Sequence, residues 1–218
     1  MTINDEACDA GRYAEAVGSI MWMATMTRPD LAFAAAFLAR FTSAPTNRHW
    51  GAAKRALRYI KGTTDHGICF RAQGPGRITA FCDADCAGCH QTRASTSGMV
   101  ILYNRSPISW RSTRQKCVTV SSCKAEFVSG SMAAQEITWL RAIRGAIDGD
   151  ANRTATTLYI DNNGAIELAK AVKTSRRSKH IDIRYHHLRQ YAADGAIAVE
   201  RVDSKDNPSE YSQSPWNG

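Results

Sequence analysis

Three acids in this 218-residue chain stand where predicted secondary elements begin or end. Asp83 closes a short apolar strand, Ile78 to Cys82. Glu126 falls in the first turn of a long helix. Asp161 closes another strand, Thr157 to Ile160. Carboxylates drawn together from distant parts of a chain repel, and they stay ionised only beside a compensating cation. Donors that are all oxygen suit Mg²⁺ or Mn²⁺. Two such ions about 4 Å apart can activate a water and stabilise a leaving oxygen in phosphodiester cleavage. Taken singly, each acid reads as a strand-end turn residue or a helix N-terminal charge. The chemistry needs the three together.

Two other groups carry chemistry. Cys82, Cys86, Cys89 and His90 have the composition of a zinc set. Cys82, however, precedes Asp83 on a strand, which turns its side chain to the opposite face and toward the core. The stretch Ala171 to Gln190 holds Lys173, Arg176, Arg177, Lys179, Arg184 and Arg189 against one acid, Asp182, with His180, His186 and His187 among them. Such a run reads as a solvated face or as a set of phosphate contacts.

The elements that position these groups fall into two patterns. Residues 11–70 read as helical. Tyr13 to Met26 is apolar and rich in small residues. Arg28-Pro29-Asp30 starts a second helix, with proline tolerated in the first turn. Phe33, Phe37 and Phe41 recur every four residues along it and predict one buried stripe. Ser43-Ala44-Pro45 breaks that helix. Thr46 caps a third, with Trp50, Ala53, Leu57 and Ile60 on one face, and Lys61-Gly62 ends it. Gln73-Gly74-Pro75-Gly76 marks a boundary, giving a helical segment 1–75 and a second domain 76–218. In the latter, strands are expected at Ile78 to Cys82, Met99 to Tyr103, Lys116 to Val120, Thr157 to Ile160 and Ile197 to Val202. Ser121-Ser122 caps a helix from Cys123 to Ile147 with Val128, Met132, Trp139 and Ile143 inward. Further helices run from Asn163 to Ala171 and from Ile183 to Ala193. The order is mixed α/β rather than a regular alternation of strand and helix.

Composition narrows the class. Hydrophobic residues at 44% and charged residues at 22% exclude a disordered chain. No apolar run approaches the ~20 residues of a membrane helix. The start, MTINDEACDA, is acidic and polar, unlike a secretory signal. Seven cysteines without a disulfide-like spacing read as reduced thiols of an intracellular protein, cytoplasmic or nuclear. The net charge of +8 favours a polyanionic partner.

The motifs carry a family resemblance. Phe81-Cys82-Asp83-Ala84-Asp85-Cys86-Ala87-Gly88, Ser95-Thr96-Ser97-Gly98, Pro107-Ile108-Ser109-Trp110 and Ser121-Ser122-Cys123-Lys124-Ala125-Glu126-Phe127 resemble the ribonuclease H domain of copia-type LTR retrotransposon Pol polyproteins. So do Asp161-Asn162-Asn163-Gly164-Ala165-Ile166 and Ser178-Lys179-His180-Ile181-Asp182-Ile183-Arg184-Tyr185-His186. Val17-Gly18-Ser19, Thr27-Arg28-Pro29-Asp30 and Arg58-Tyr59-Ile60-Lys61-Gly62-Thr63-Thr64 look like the segment between reverse transcriptase and ribonuclease H.

The resemblance implies a ribonuclease H-like mixed five-stranded sheet flanked by helices, preceded by a helical remnant of the connection region. It implies Mg²⁺-dependent hydrolysis of the RNA strand in an RNA/DNA hybrid, with Mn²⁺ as a substitute ion. Asp83 would bridge two ions, with Glu126 and Asp161 each holding one. The fourth family acid, an Asp, aligns with Glu210, and the family's usual Trp aligns with Cys86. Arg176, Arg177, Lys179, His180 and Arg184 would meet nucleic acid. The implied partners are the hybrid and the reverse transcriptase core of a parent polyprotein, with no membrane. The rival reading is a nucleic-acid-binding or structural fragment without activity.

Overall fold

The computed structural model describes residues 6–71, 73–86, 94–115, 121–149, 154–171 and 187–209. The chain divides into two compact units, Met1–Cys69 and Phe70–Ser214. No helix among the described residues is long and apolar enough to cross a membrane.

The first unit is three helices around a small core. Asp9 caps α1 (Ala10–Met26) by accepting from the Arg12 N–H at 3.1 Å. A short 3₁₀ turn, Pro29–Leu31, leads into α2 (Ala32–Ala39). Thr46 precedes α3 (Asn47–Gly62), and its N–H donates to His49 Nδ1 at 3.0 Å, the part a Glu or Gln plays in a capping box. Tyr13, Val17, Ile20, Leu31, Leu38, Ala53 and Ala56 are buried together, and the Tyr13 hydroxyl donates to the Leu38 carbonyl at 2.8 Å. The phenylalanine stripe departs from expectation. Phe33 stacks on Phe37, and Phe37 meets Phe41 edge to face, but none is fully buried and Phe37 is 39% exposed. The inward positions of α2 are instead Ala32, Ala35 and Leu38.

The second unit is a five-stranded sheet in the order β3-β2-β1-β4-β5. Its strands are β1 (Ile78–Asp85), β2 (Thr96–Tyr103), β3 (Ser106–Arg114), β4 (Thr156–Ile160) and β5 (Ile197–Arg201). The first three pair antiparallel, while β4 lies parallel to both β1 and β5. Helices α4 (Ser122–Asp148), α5 (Asn163–Lys170) and α6 (His187–Ala193) complete the unit. The third strand, Ser106–Arg114, forms where no strand is expected, and Lys116 to Val120 lies outside the described residues. β3 is an edge strand, half-exposed along most of its length, and an edge accepts Pro107.

The inward face of α4 also differs from the expected one. Trp139 is 57% exposed and Ile143 is also exposed. The buried residues are Ala125 to Ser131 with Ala133, Ala134 and Ile137. Small side chains let this helix lie close on its neighbours. A Cβ added at Gly130 would come within 3.0 Å of Leu188 and 3.1 Å of Ile160, so a larger residue there would push on both side chains.

Candidate metal centre

The parallel register of β1 and β4 pairs Phe81 with Tyr159. Asp83 and Asp161 each lie two residues further on, so the alternation of strand side chains sends both toward the same end and side of the sheet. Helix α4 supplies the third acid. Its start is set by Ser121, whose hydroxyl oxygen accepts from the Lys124 N–H at 3.3 Å. Just beyond Glu126, the buried Ser129 hydroxyl lies 2.8 Å from the Asp83 carbonyl and 3.2 Å from that of Gly98. That bridge fixes the helix over the β1–β2 pair and leaves Glu126 facing the strand ends.

Asp83, Glu126 and Asp161 each place a carboxylate oxygen within 4.8 Å of the others. Asp83 is 7% exposed and Glu126 4%, while Asp161 is half-buried. The Ala84 N–H lies 2.8 Å from Asp83 Oδ1 and 2.9 Å from Glu126 Oε1. The second Glu126 oxygen, Oε2, is buried without a hydrogen-bond partner. Burial, then the adjacent Asp83 carboxyl and more weakly Asp161, push the Glu126 carboxyl up to about 10. Among the described residues no Lys or Arg forms an ion pair with Glu126 or Asp161. An all-oxygen set with one orphaned buried acceptor fits a hard divalent cation. In its absence a proton must hold the acids together.

Two residues that sequence reasoning missed brace the cluster. The Ser204 hydroxyl donates to Asp161 Oδ2 at 2.7 Å. The buried Asn207 side chain donates to the Cys82 carbonyl at 3.1 Å and accepts from Ser209. The segment after β5 is thereby tied to the end of β1 beside Asp83. The run Asp203-Ser204-Lys205-Asp206-Asn207-Pro208 signals only a turn, so nothing local announces this role.

Cys82 is fully buried in the core. Cys89 and His90 lie outside the described residues, as do Glu210, Arg176, Arg177, Lys179, His180 and Arg184.

No protein-family model matches the chain. Over 198 residues, 91% of its length, it is 35% identical to the retrovirus-related Pol polyprotein from transposon TNT 1-94 of Nicotiana tabacum. It spans only 13–15% of the length of the curated Pol polyproteins it matches. Over 128 residues it is 43% identical to secreted RxLR effector protein 161 of Plasmopara viticola, covering 90% of that protein. Among solved structures, the foamy viral protease-reverse transcriptase in complex with RNA/DNA hybrid aligns with a TM-score of 0.55 and 11% identity, over 92% of this chain and 25% of that one. The sheet order, with acids at the ends of its neighbouring parallel strands, is that of a ribonuclease H-like fold. The chain is homologous to one segment of the retrovirus-related Pol polyproteins of plant transposons.

Proposed function

We propose that the chain is a retroelement ribonuclease H of the copia type, an endonuclease that hydrolyses the RNA strand of RNA/DNA hybrids. The observation that carries this reading is the cluster of Asp83, Glu126 and Asp161 with its orphaned Glu126 oxygen. These three residues would hold Mg²⁺, or Mn²⁺ in its place, with Glu210 as a fourth carboxylate. Bound there, the ions supply a nucleophilic water at neutral pH and charge neutralisation at the phosphodiester.

The chain's own groups prepare the site. The Ala84 N–H holds Glu126 Oε1 and leaves Oε2 for a ligand. Ser204 fixes one oxygen of Asp161, and Ser129 fixes the helix that carries Glu126. Asp161 is the most open of the three acids, so a phosphodiester and water reach the cluster from its side. Water adds to phosphorus and the ribose 3′ oxygen leaves with a proton, giving a 3′-hydroxyl and a 5′-phosphate. Arg176, Arg177, Lys179, His180 and Arg184 would contact phosphates, and 2′-hydroxyl contacts would distinguish RNA from DNA. Residues 1–75 are read as the connection segment, whose partner is the reverse transcriptase core, and 76–218 as the nuclease domain.

The test is cleavage of end-labelled hybrid with Mg²⁺, beside duplex DNA, duplex RNA and a chelator control. Hybrid alone should be cut, and Asp83→Asn should lower the rate by at least ~10²–10³-fold while leaving the circular dichroism unchanged. Equal rates for wild type and variant would overturn the assignment. Hybrid binding without cleavage would favour the non-catalytic fragment.

A further inference from the structure

Helix α3 carries Arg48, Lys54, Arg55, Arg58 and Lys61 and no acid. Its inner face packs through Ala53 and Ala56, with Trp50, Leu57 and Ile60 half-buried beside them. All five cations are exposed, and none forms an ion pair among the described residues. Arg48, Gly51, Ala52, Arg55 and Arg58 share one side of the helix at 3.6 residues per turn. With Asn47 and Lys54 they line a groove of about 510 Å³.

An ordinary solvated helix face mixes signs at i, i+3 and i, i+4. Here those spacings bring together Lys54 with Arg58, Arg55 with Arg58, and Arg58 with Lys61, and each like pair weakens the helix. Gly51 weakens it further, since glycine is a poor helix former. No packing inside the unit explains that glycine, because a Cβ there would meet nothing within 4 Å. The space in front of the backbone is open, and its rim is positive.

We propose that the α3 groove is a track for the sugar-phosphate backbone of a nucleic acid, held without regard to base sequence. Arg48 and Arg58 lie ten positions apart, about 15 Å along the axis. That spans four to five nucleotides at ~3.4 Å each along one strand. Guanidinium forks bond phosphate oxygens in pairs, and Gly51 and Ala52 let a backbone come close. The lining offers one amide, Asn47, and no carboxylate, so beyond its cations, which meet phosphate or guanine alike, it has little to tell one base from another. It also lacks the large apolar side chains that anchor a peptide. The track requires neither the metal centre nor cleavage.

The test uses the full chain and a labelled RNA/DNA hybrid in EDTA, where hydrolysis is silent, with anisotropy read at several salt concentrations. The triple variant Arg48→Gln, Arg55→Gln, Arg58→Gln should flatten the slope of log K against log salt by about 2–3 and lower affinity at least ~10-fold at low salt. Gly51→Leu keeps the charge, has room for its Cβ, and should lower affinity several-fold without lowering the melting temperature. Polyglutamate at equal charge should compete poorly. A wild-type slope in the triple variant, wild-type affinity in Gly51→Leu, or polyglutamate competing as well as hybrid would each overturn the track.

Discussion

Each unit takes acid out of water, half-buried in the helical unit and buried in the sheet unit, and the two do it in opposite ways. In the helical unit Asp30 has its own cation. Arg28, 6% exposed, meets it with Nη2 at 2.7 Å and Nε at 2.9 Å, and the Tyr59 hydroxyl donates at 3.0 Å. Thr63 takes the remaining guanidinium bonds at 3.0 and 2.7 Å. Burial raises the Asp30 carboxyl, but the bonds from Arg28 and Tyr59 outweigh it and hold Asp30 below its ordinary value. In the sheet unit three acids meet, and burial with mutual repulsion drives Glu126 the other way. An acid that arrives with its cation is part of the scaffold. A cluster whose Glu126 oxygen stays orphaned has the make-up of a receptor for a charge from outside.

The widest separation between the two should come from Glu126→Gln, which keeps the shape and deletes the charge. Hybrid cleavage should fall by ~10²–10³-fold, yet the metal-free protein should become more stable at neutral pH. The sign follows from linkage. The folded carboxyl holds its proton up to about 10, whereas its ordinary value is 4.5. Between those values the unfolded chain releases a proton that the folded chain keeps, so this group's contribution to stability falls as pH rises. Thermal melts without metal from pH 5 to 9 should show wild type losing ground to Glu126→Gln. Added Mg²⁺ should restore wild type alone, and more at pH 8 than at pH 5, where protons compete with the ion. Parallel melting curves with no metal effect would remove the receptor reading.

The same substitution in the helical unit should act with opposite sign. Asp30→Asn leaves the buried Arg28 guanidinium without its counter-charge, at a cost of about 1–3 kcal/mol. The melting temperature should drop by several degrees, with Mg²⁺ neither helping nor hurting. Because the folded Asp30 value is depressed, its stabilisation is present above the ordinary 3.8 and is lost as pH falls through the depressed value. An Asp30→Asn protein as stable as wild type at pH 7 would erase the contrast.

What could be read from the chain follows the same division between local and assembled features. Asp83 and Asp161 were legible because each ends a short apolar strand, and Glu126 because Ser121 signals a helix start five residues earlier. The inward side of α4 was not. Apolar bulk drew attention to Trp139 and Ile143, whereas close packing selected Ser129, Gly130, Ala133 and Ala134, which look neutral in a periodicity count. In α2 the phenylalanines overstated burial for the same reason, since Ala32, Ala35 and Leu38 are what the core admits. Strand β3 carries polar residues and Pro107, which only the sheet edge explains. Ser204 and Asn207 lie far along the chain from Asp83, and only the pairing of β5 with β4 returns them to it.

Ser204 gives the smallest expected effect and the sharpest check on how far the receptor extends. Its hydroxyl donates to Asp161 Oδ2 at 2.7 Å. Outer partners of a metal-binding carboxylate commonly change affinity by ~10–100-fold. Ser204 is exposed, so water can take over part of its bond, and the effect belongs at or below the lower end of that range. In Ser204→Ala the Mg²⁺ concentration for half-maximal hybrid cleavage should rise by about 3–10-fold. The rate at saturating Mg²⁺ should hardly change, because all three acids remain. Ser204→Thr keeps the hydroxyl and should recover most of the metal affinity. A Ser204→Ala protein with the wild-type Mg²⁺ curve would reduce the contact to part of the turn after β5. A loss confined to the saturated rate would instead mean that the hydroxyl meets the substrate rather than orienting Asp161.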